Sequence, residues 1–230
     1  MTKPELASKI DHTLLKPEAT VDDVRQIVEQ AIQFKFASVC VQPIWVSTVA
    51  RQLSGSGVLT CAVAGFPHGA NKPTIKAIEA SSCVKDGAEE VDMVAHLPHL
   101  ARHDFNAAKA EFTEVVRACR AVRPQTIIKV IVESAYLLSL GSEAGEKAIE
   151  IACRAVRESG ADFIKTSTGF HPAGGASIEA VRLMKKHAAG IAVKASGGIR
   201  DLPTALAMLE AGADRLGLSA SVKIVEAYNG

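Results

Sequence analysis

Two lysines stand where a folded chain has little reason to keep them. The run Ala161-Asp-Phe-Ile-Lys-Thr-Ser-Thr-Gly169 delivers Lys165 from an apolar stretch, then breaks into small hydroxylated residues and a glycine. Further on, Ile191-Ala-Val-Lys194 is followed by Ala-Ser-Gly-Gly198. An ammonium is costly to bury unpaired. One explanation is that both lysines snorkel, with stems buried and heads in water; the other is a reactive amine tuned by a second cation. A lysine titrating near 10.4 must fall to roughly 7–8 to act as a nucleophile at neutral pH, about 4 kcal/mol. A cation about 5 Å away supplies on the order of 3 kcal/mol at an effective dielectric near 20. Partial desolvation supplies the rest. A lysine pair is therefore sufficient in magnitude, provided the two meet in space.

Whether they meet depends on the elements that carry them. Short β-rich runs alternate with amphipathic stretches along the whole chain. The runs are Lys9–His12, Ala37–Val41, Leu59–Ala64, Glu90–Val94, Thr126–Val132, Asp162–Lys165, Gly190–Lys194 and Asp214–Gly217. Between them, Thr20-Val-Asp-Asp23 offers a cap and first-turn carboxylates to a helix reaching about Phe34. Pro43 suits the first turn of another. Further helices are expected over Lys72–Asp86, Asp104–Val122, Ser142–Glu158, Ser177–His187, Leu202–Glu210 and Ser219–Tyr228. Asp86-Gly-Ala-Glu-Glu90, Ser159-Gly-Ala-Asp162 and Ala211-Gly-Ala-Asp214 read as three copies of one helix-to-strand junction, with glycine in the left-handed position that ends a helix. Eight strand–helix units in 230 residues close best as a single (β/α)8 TIM barrel over residues 1–230, of the α/β class, with a short N-terminal extension. A doubly wound open sheet is the weaker choice, because no Gly-x-Gly-x-x-Gly follows a strand.

In such a barrel the active site lies at the carboxyl ends of the strands. Those ends hold Asp11 and His12, Cys40 and Gln42, Phe66 and His68, Asp92, Lys129 and Glu133, Lys165, Lys194 and Ser219. Asp92 alternates with Val91 and Met93, so it points into the barrel, either as a salt-bridge partner of the lysines or as a proton shuttle. Lys129 and Glu133 share a face by the period of two and predict a supporting ion pair. Ala195-Ser-Gly-Gly-Ile-Arg200 and Gly217-Leu-Ser-Ala-Ser221 follow the last two strands, where glycine-rich backbone and a helix N-terminus recurrently hold phosphate. His96, His99 and His103 have a suggestive spacing, but Pro98 interrupts any helix containing all three and no nearby carboxylate completes a metal set. They read as solvated loop histidines.

Composition narrows the classes. With 26 basic and 25 acidic residues the net charge is +1, and aromatic residues make up 4%. Neither a basic patch nor a stacking platform for nucleic acid is indicated. No apolar run approaches the ~20 residues of a membrane span, and a cytoplasmic setting is expected. Five cysteines without a Cys-x-x-Cys pair read as small core residues in a reducing compartment.

Lys165 in Phe-Ile-Lys-Thr-Ser-Thr-Gly, Lys194 in Val-Lys-Ala-Ser-Gly-Gly-Ile-Arg and Asp92 in Glu-Val-Asp-Met-Val together resemble the deoxyribose-phosphate aldolase family, as does Gly65-Phe-Pro-His-Gly69. The resemblance runs from Ile10 to Ser219. It implies a class I aldolase that reversibly joins acetaldehyde to glyceraldehyde 3-phosphate, with small phosphorylated sugars and aldehydes as partners. Lys165 would form the Schiff base, Lys194 would keep its amine reactive, and Asp92 would move protons through a water. Gly169, Gly197, Gly198 and Ser219 would hold the phosphate, and Thr13 and Thr168 would line the channel. No metal or organic cofactor is implied. The family often has adjacent serines where this chain has Ser219-Ala220, for which Ser221 is expected to compensate in part. The rivals are a phosphosugar isomerase or synthase using Asp92 as base, and a phosphosugar-binding barrel without catalysis. Oligomeric state is left open, a homo-oligomer being compatible.

Overall fold

The computed structural model describes residues 1–229. Eight parallel strands close into a barrel in sequence order: β1 Ile10–Leu14, β2 Ser38–Val41, β3 Leu59–Ala64, β4 Glu90–Val94, β5 Ile127–Ile131, β6 Phe163–Lys165, β7 Ala192–Ser196 and β8 Arg215–Leu218. The expected TIM barrel is the observed fold. Parallel strands demand crossover connections, and helices such as Val21–Phe34, Phe105–Val122 and Ser142–Ser159 provide them. Thr20 caps the first of these as expected, its side chain accepting from the Asp23 N–H.

The three repeated junctions behave alike. Gly87, Gly160 and Gly212 all have positive φ, at 110°, 83° and 111°. In each, the alanine that follows donates its N–H to a carbonyl five residues back: Cys83, Val156 and Met208. The next acid then accepts from the neighbouring strand, Glu89 from Thr60, Asp162 from Ile128 and Asp214 from Val193. One sequence motif thus ends a helix and sets the register of a strand three times.

Several boundaries differ from expectation. β7 starts two residues later and continues through Ser196, because Gly190 has φ 102° and turns the chain before the strand. Pro43 opens a 3-10 turn, Pro43–Trp45, that precedes the helix Val46–Leu53. The closing helix covers only Ser221–Glu226. Three short helices were not foreseen: Lys3–Ala7, Leu97–Ala101 and Ser134–Leu138. In the second of these Pro98 sits in the first turn, and the helix holds His99 but neither His96, its N-cap, nor His103, so no helix spans all three histidines.

The main apolar core lies between strands and helices, from Val24, Ile27 and Val28 through Phe112 and Val115 to Ile149 and Val156. The inside of the barrel is different. Asp11, Glu90, Asp92, Lys129, Lys165 and Lys194 are all buried there. No helix among the described residues is long and apolar enough to cross a membrane.

Candidate active site

Register brings the lysines together. Lys165 on β6 and Lys194 on β7 are direct cross-strand partners, as are Asp92 on β4 and Lys129 on β5. Asp92 Oδ2 accepts from Lys165 Nζ and from Lys194 Nζ, each at 2.7 Å. The two ammonium nitrogens therefore lie within twice 2.7 Å of each other, the separation that a tuning cation requires. Asp92 Oδ1 accepts from Lys129 Nζ at 2.8 Å and from the Cys61 thiol at 3.3 Å. The salt-bridge reading of Asp92 expected lysine partners, and the structure gives it three.

The surrounding charges fix most protonation states. Burial would push Lys194 down, but the Asp11 and Asp92 carboxylates outweigh it and hold Lys194 well above the ordinary lysine range. Burial likewise opposes ionisation of Asp92, and Lys129, Lys165 and Lys194 overcome it, so Asp92 titrates far below its usual value. Asp11 is lowered in the same way by Lys194, Lys129 and Arg215. Lys129 is held charged by Asp92, Glu90 and Asp11 against its burial. Glu90 accepts from Lys129 at 2.5 Å and Arg215 donates to Asp11 at 2.6 Å. The barrel interior thus holds four cations against three carboxylates.

Only one of the three lysines around Asp92 opens to solvent. Lys165 lines a cavity of about 400 Å³ at the carboxyl end of the barrel, whereas Lys129 and Lys194 do not. Thr13, Thr168 and Gly169 line the same cavity. So do Gly197, Gly198 and Ser219. The backbone N–H groups of Gly169, Gly197, Gly198 and Ser219 have no acceptor among the described residues, and the positive φ of Gly169, Gly197 and Gly198 lets backbone line this wall.

A DeoC/LacD family aldolase profile matches residues 6–226. The chain belongs to that family. It is 46% identical over 224 residues to the deoxyribose-phosphate aldolase of Caldanaerobacter subterraneus subsp. tengcongensis, covering 97% of this chain and 93% of the relative. It is also 46% identical over 223 residues to that of Clostridium tetani, covering 96% and 98%. Among solved structures it resembles QR15, an aldolase, with a TM-score of 0.86 at 40% identity over 96% of this chain and 94% of that one. The tetrameric deoxyribose phosphate aldolase from Aeropyrum pernix gives 0.86 at 34% identity, covering 97% and 91%.

The geometry corrects three expectations about this aldolase. Lys129 does not pair with Glu133: β5 ends at Ile131 and Glu133 has φ 50°, which breaks the alternation and swings its carboxylate to the Thr168 N–H at 2.9 Å. Ser221 does not stand in for a phosphate serine. It is buried, its hydroxyl donating to the Leu218 carbonyl and meeting His12 Nδ1 at 2.9 Å. The helix after β7 offers no free N-terminus either, since Asp201 caps it by accepting from the Thr204 N–H. The helix after β8 begins at Ser221 without a side-chain cap, next to Ser219.

The three histidines form no metal-ligating group among the described residues. His96 and His99 pack edge to face at 4.6 Å, while His103 Nε2 lies 3.0 Å from the Ala144 carbonyl. Cys40, Cys61 and Asp92 do cluster, with ligand atoms within 4.8 Å of one another, but the lysines crowding Asp92 repel a cation. Sequence reasoning noticed Asp11 at a strand end without giving it a role, and gave none to Glu90, Arg215 or the cavity-lining cations Lys16 and Arg200. The period of two along Glu90-Val-Asp92 would have placed Glu90 in the barrel beside Asp92.

Proposed function

We propose that this chain is a class I aldolase that reversibly cleaves 2-deoxyribose 5-phosphate to glyceraldehyde 3-phosphate and acetaldehyde. The observation that carries the reading is the division of labour among the lysines: of the three around Asp92, Lys165 alone meets the cavity. The names of the relatives point to the same substrate.

In this reading the neutral Lys165 amine adds to the C1 aldehyde of the open-chain sugar, and loss of water gives an iminium. Removal of the proton from the C3 hydroxyl breaks the C2–C3 bond. Its electron pair flows to C2 and into the iminium, leaving an enamine and releasing glyceraldehyde 3-phosphate. Protonation of C2 and addition of water then release acetaldehyde and regenerate the amine. Lys194 is the fixed cation beside this nitrogen. Asp92 is a poor proton keeper, which suits a carboxylate that passes protons between lysines and a water. The iminium is the electron sink, so the carbon–carbon step calls on no metal or organic cofactor. Gly169, Gly197, Gly198 and Ser219 hold the phosphate through backbone N–H groups, with Arg200 and Lys16 at the rim. Thr13 and Thr168 line the channel. The partners are small phosphorylated sugars and aldehydes, in a cytoplasmic setting and with no nucleic acid or membrane.

Borohydride added with acetaldehyde or the sugar phosphate should trap one covalent adduct, and mass mapping should place it on Lys165. Lys165→Ala should lose both adduct and turnover. Retention of much of the turnover by Lys165→Ala would instead favour an isomerase or synthase that uses Asp92 as base.

A further inference from the structure

Glu133 is an odd residue to find beside this site. It is 2% exposed, and it sits in the left-handed backbone region at φ 50°, ψ 61°, a conformation unfavourable for any residue with a Cβ. Its carboxylate makes no ion pair among the described residues, although burial of an unpaired charge is costly. Oε1 accepts from the Thr168 N–H at 2.9 Å; Oε2 is the one buried carboxylate oxygen without a partner among the described residues. Such a strained and charged position persists only where something else depends on it.

What depends on it is the turn after Lys165. The peptide between Ser167 and Thr168 is gripped from both sides: Glu133 takes its N–H, and the Ser196 hydroxyl donates to its carbonyl at 2.6 Å. Ser196 is itself braced, its N–H donating to Thr166 Oγ1 and its carbonyl accepting from that hydroxyl, both at 3.0 Å. The Ser134 N–H donates to the Thr166 carbonyl at 2.8 Å, tying in the start of the helix Ser134–Leu138. On the far side, Thr168 Oγ1 accepts from the Phe170 N–H at 3.1 Å. Gly169 is therefore held between two pinned residues, with φ 85° and its own N–H free of any acceptor among the described residues. Glu133 does not line the cavity, so it stands behind the Thr168–Gly169 turn rather than against the substrate.

We infer that Glu133 is a positioning residue for the phosphate end of the site: it fixes the Ser167–Thr168 peptide so that Gly169 presents its N–H to the substrate's phosphoryl group. The inference rests on the assignment of that end of the cavity to phosphate. The role asks for an acceptor at this point, and Glu133 Oε1 supplies it to the Thr168 N–H.

The test compares Glu133→Ala with Glu133→Gln, since glutamine keeps an acceptor and alanine does not. Each variant is assayed on 2-deoxyribose 5-phosphate and on unphosphorylated 2-deoxyribose, for trapping of acetaldehyde on Lys165 by borohydride, and for binding of inorganic phosphate by calorimetry. In Glu133→Ala, kcat/KM on the phosphorylated sugar should fall about tenfold or more, with phosphate affinity falling alongside. Rates on the unphosphorylated sugar and of trapping should stay within about twofold, and Glu133→Gln should restore most of the loss. Parallel losses on both sugars would mean a merely structural role and overturn the inference. So would unchanged phosphate affinity, or a glutamine variant as poor as the alanine one. Should Glu133→Ala fail to fold, Ser196→Ala frees the same peptide from its other side and must lower the same ratio. If the wild-type protein traps no acetaldehyde, the aldolase reading fails, while the phosphate titration still decides the role of Glu133.

Discussion

Gly217 offers a sharp test of whether the position of Lys194 matters. It lies on β8, and a Cβ built there would sit 3.0 Å from Lys194 Cε and 2.9 Å from Ser196 Cβ. Its φ is outside the left-handed region, so alanine meets no backbone penalty and the effect is that of one methyl group. Carbon atoms settle at about 3.5 Å or more, so Gly217→Ala must displace the Lys194 stem by roughly half an ångström. Lys194 cannot absorb this freely, because its Nζ is held by Asp11 and Asp92 at once. Overpacking of this kind costs about 1–3 kcal/mol, or roughly 2–4 °C of Tm per kcal/mol in a chain of this size. If a misplacement of 1 Å costs about 10²-fold, half of that should cost about tenfold in kcat for cleavage of deoxyribose phosphate. The assay is steady-state cleavage coupled to reduction of the released triose phosphate, run beside a thermal melt. Gly198→Ala is the comparison: at φ 80° it strains the backbone, but no atom lies within 4 Å of the added methyl and Lys194 is untouched. Its loss should appear in KM. Wild-type kcat in Gly217→Ala, with the substitution verified, would refute the claim that Lys194 acts from a fixed place.

Two further outcomes follow from the buried charges. Lys129→Met leaves Glu90 and one oxygen of Asp92 without their nearest cation, and urea denaturation should show a loss of about 3–5 kcal/mol; a loss under about 1 kcal/mol would show that the pair is not needed for stability. Asp11 and Asp92 both titrate below the ordinary aspartate value of 3.8 when folded. Their contribution is therefore complete above about pH 5, and is lost as pH falls through the ordinary value towards the depressed one. The urea midpoint should drop between about pH 4 and pH 2, and a flat midpoint across that window would count against the network.

The barrel was legible in the sequence because its signal is repeated. Eight apolar runs, and three helix-to-strand junctions built on the same Gly-Ala-acid pattern, each constrain the count independently. Lys165, Lys194 and Asp92 were legible because a charged residue in an otherwise apolar strand stands out. The rest was hidden for physical reasons. Lys76 lies on the helix Pro73–Lys85, where a lysine ordinarily faces water, yet it is fully buried and bonds Glu111 at 2.5 Å and the Val94 carbonyl at 2.8 Å. Nothing local announces a pair 35 residues apart. Glu133 was misplaced because the period of two holds only while the chain stays extended, and a left-handed residue just past a strand ends that inference without a glycine to mark it. Ser221 failed as a phosphate ligand because adjacency in sequence does not survive the start of a helix, which turns successive side chains about 100° apart.

The charged interior itself has to be accounted for. Apolar side chains of similar volume would fill a barrel at least as stably as buried ion pairs, and the shell between strands and helices here is filled that way. The interior therefore reads as a cost accepted for chemistry, and Asp92 shows how the arrangement is divided. One of its oxygens is committed to Lys129 and the Cys61 thiol, deep in the barrel, and this fixes the rotation of the carboxylate. The other oxygen is shared by Lys194 and Lys165. In the proposed cycle Lys165 passes from amine to iminium, and the iminium nitrogen keeps one N–H and a positive charge. The same oxygen that faces the free lysine can thus face the covalent intermediate without reorganisation, which is the form of electrostatic stabilisation that lowers a barrier rather than merely tightening binding. Lys194 keeps that oxygen's second site occupied throughout, so the carboxylate cannot turn away when Lys165 becomes covalently engaged.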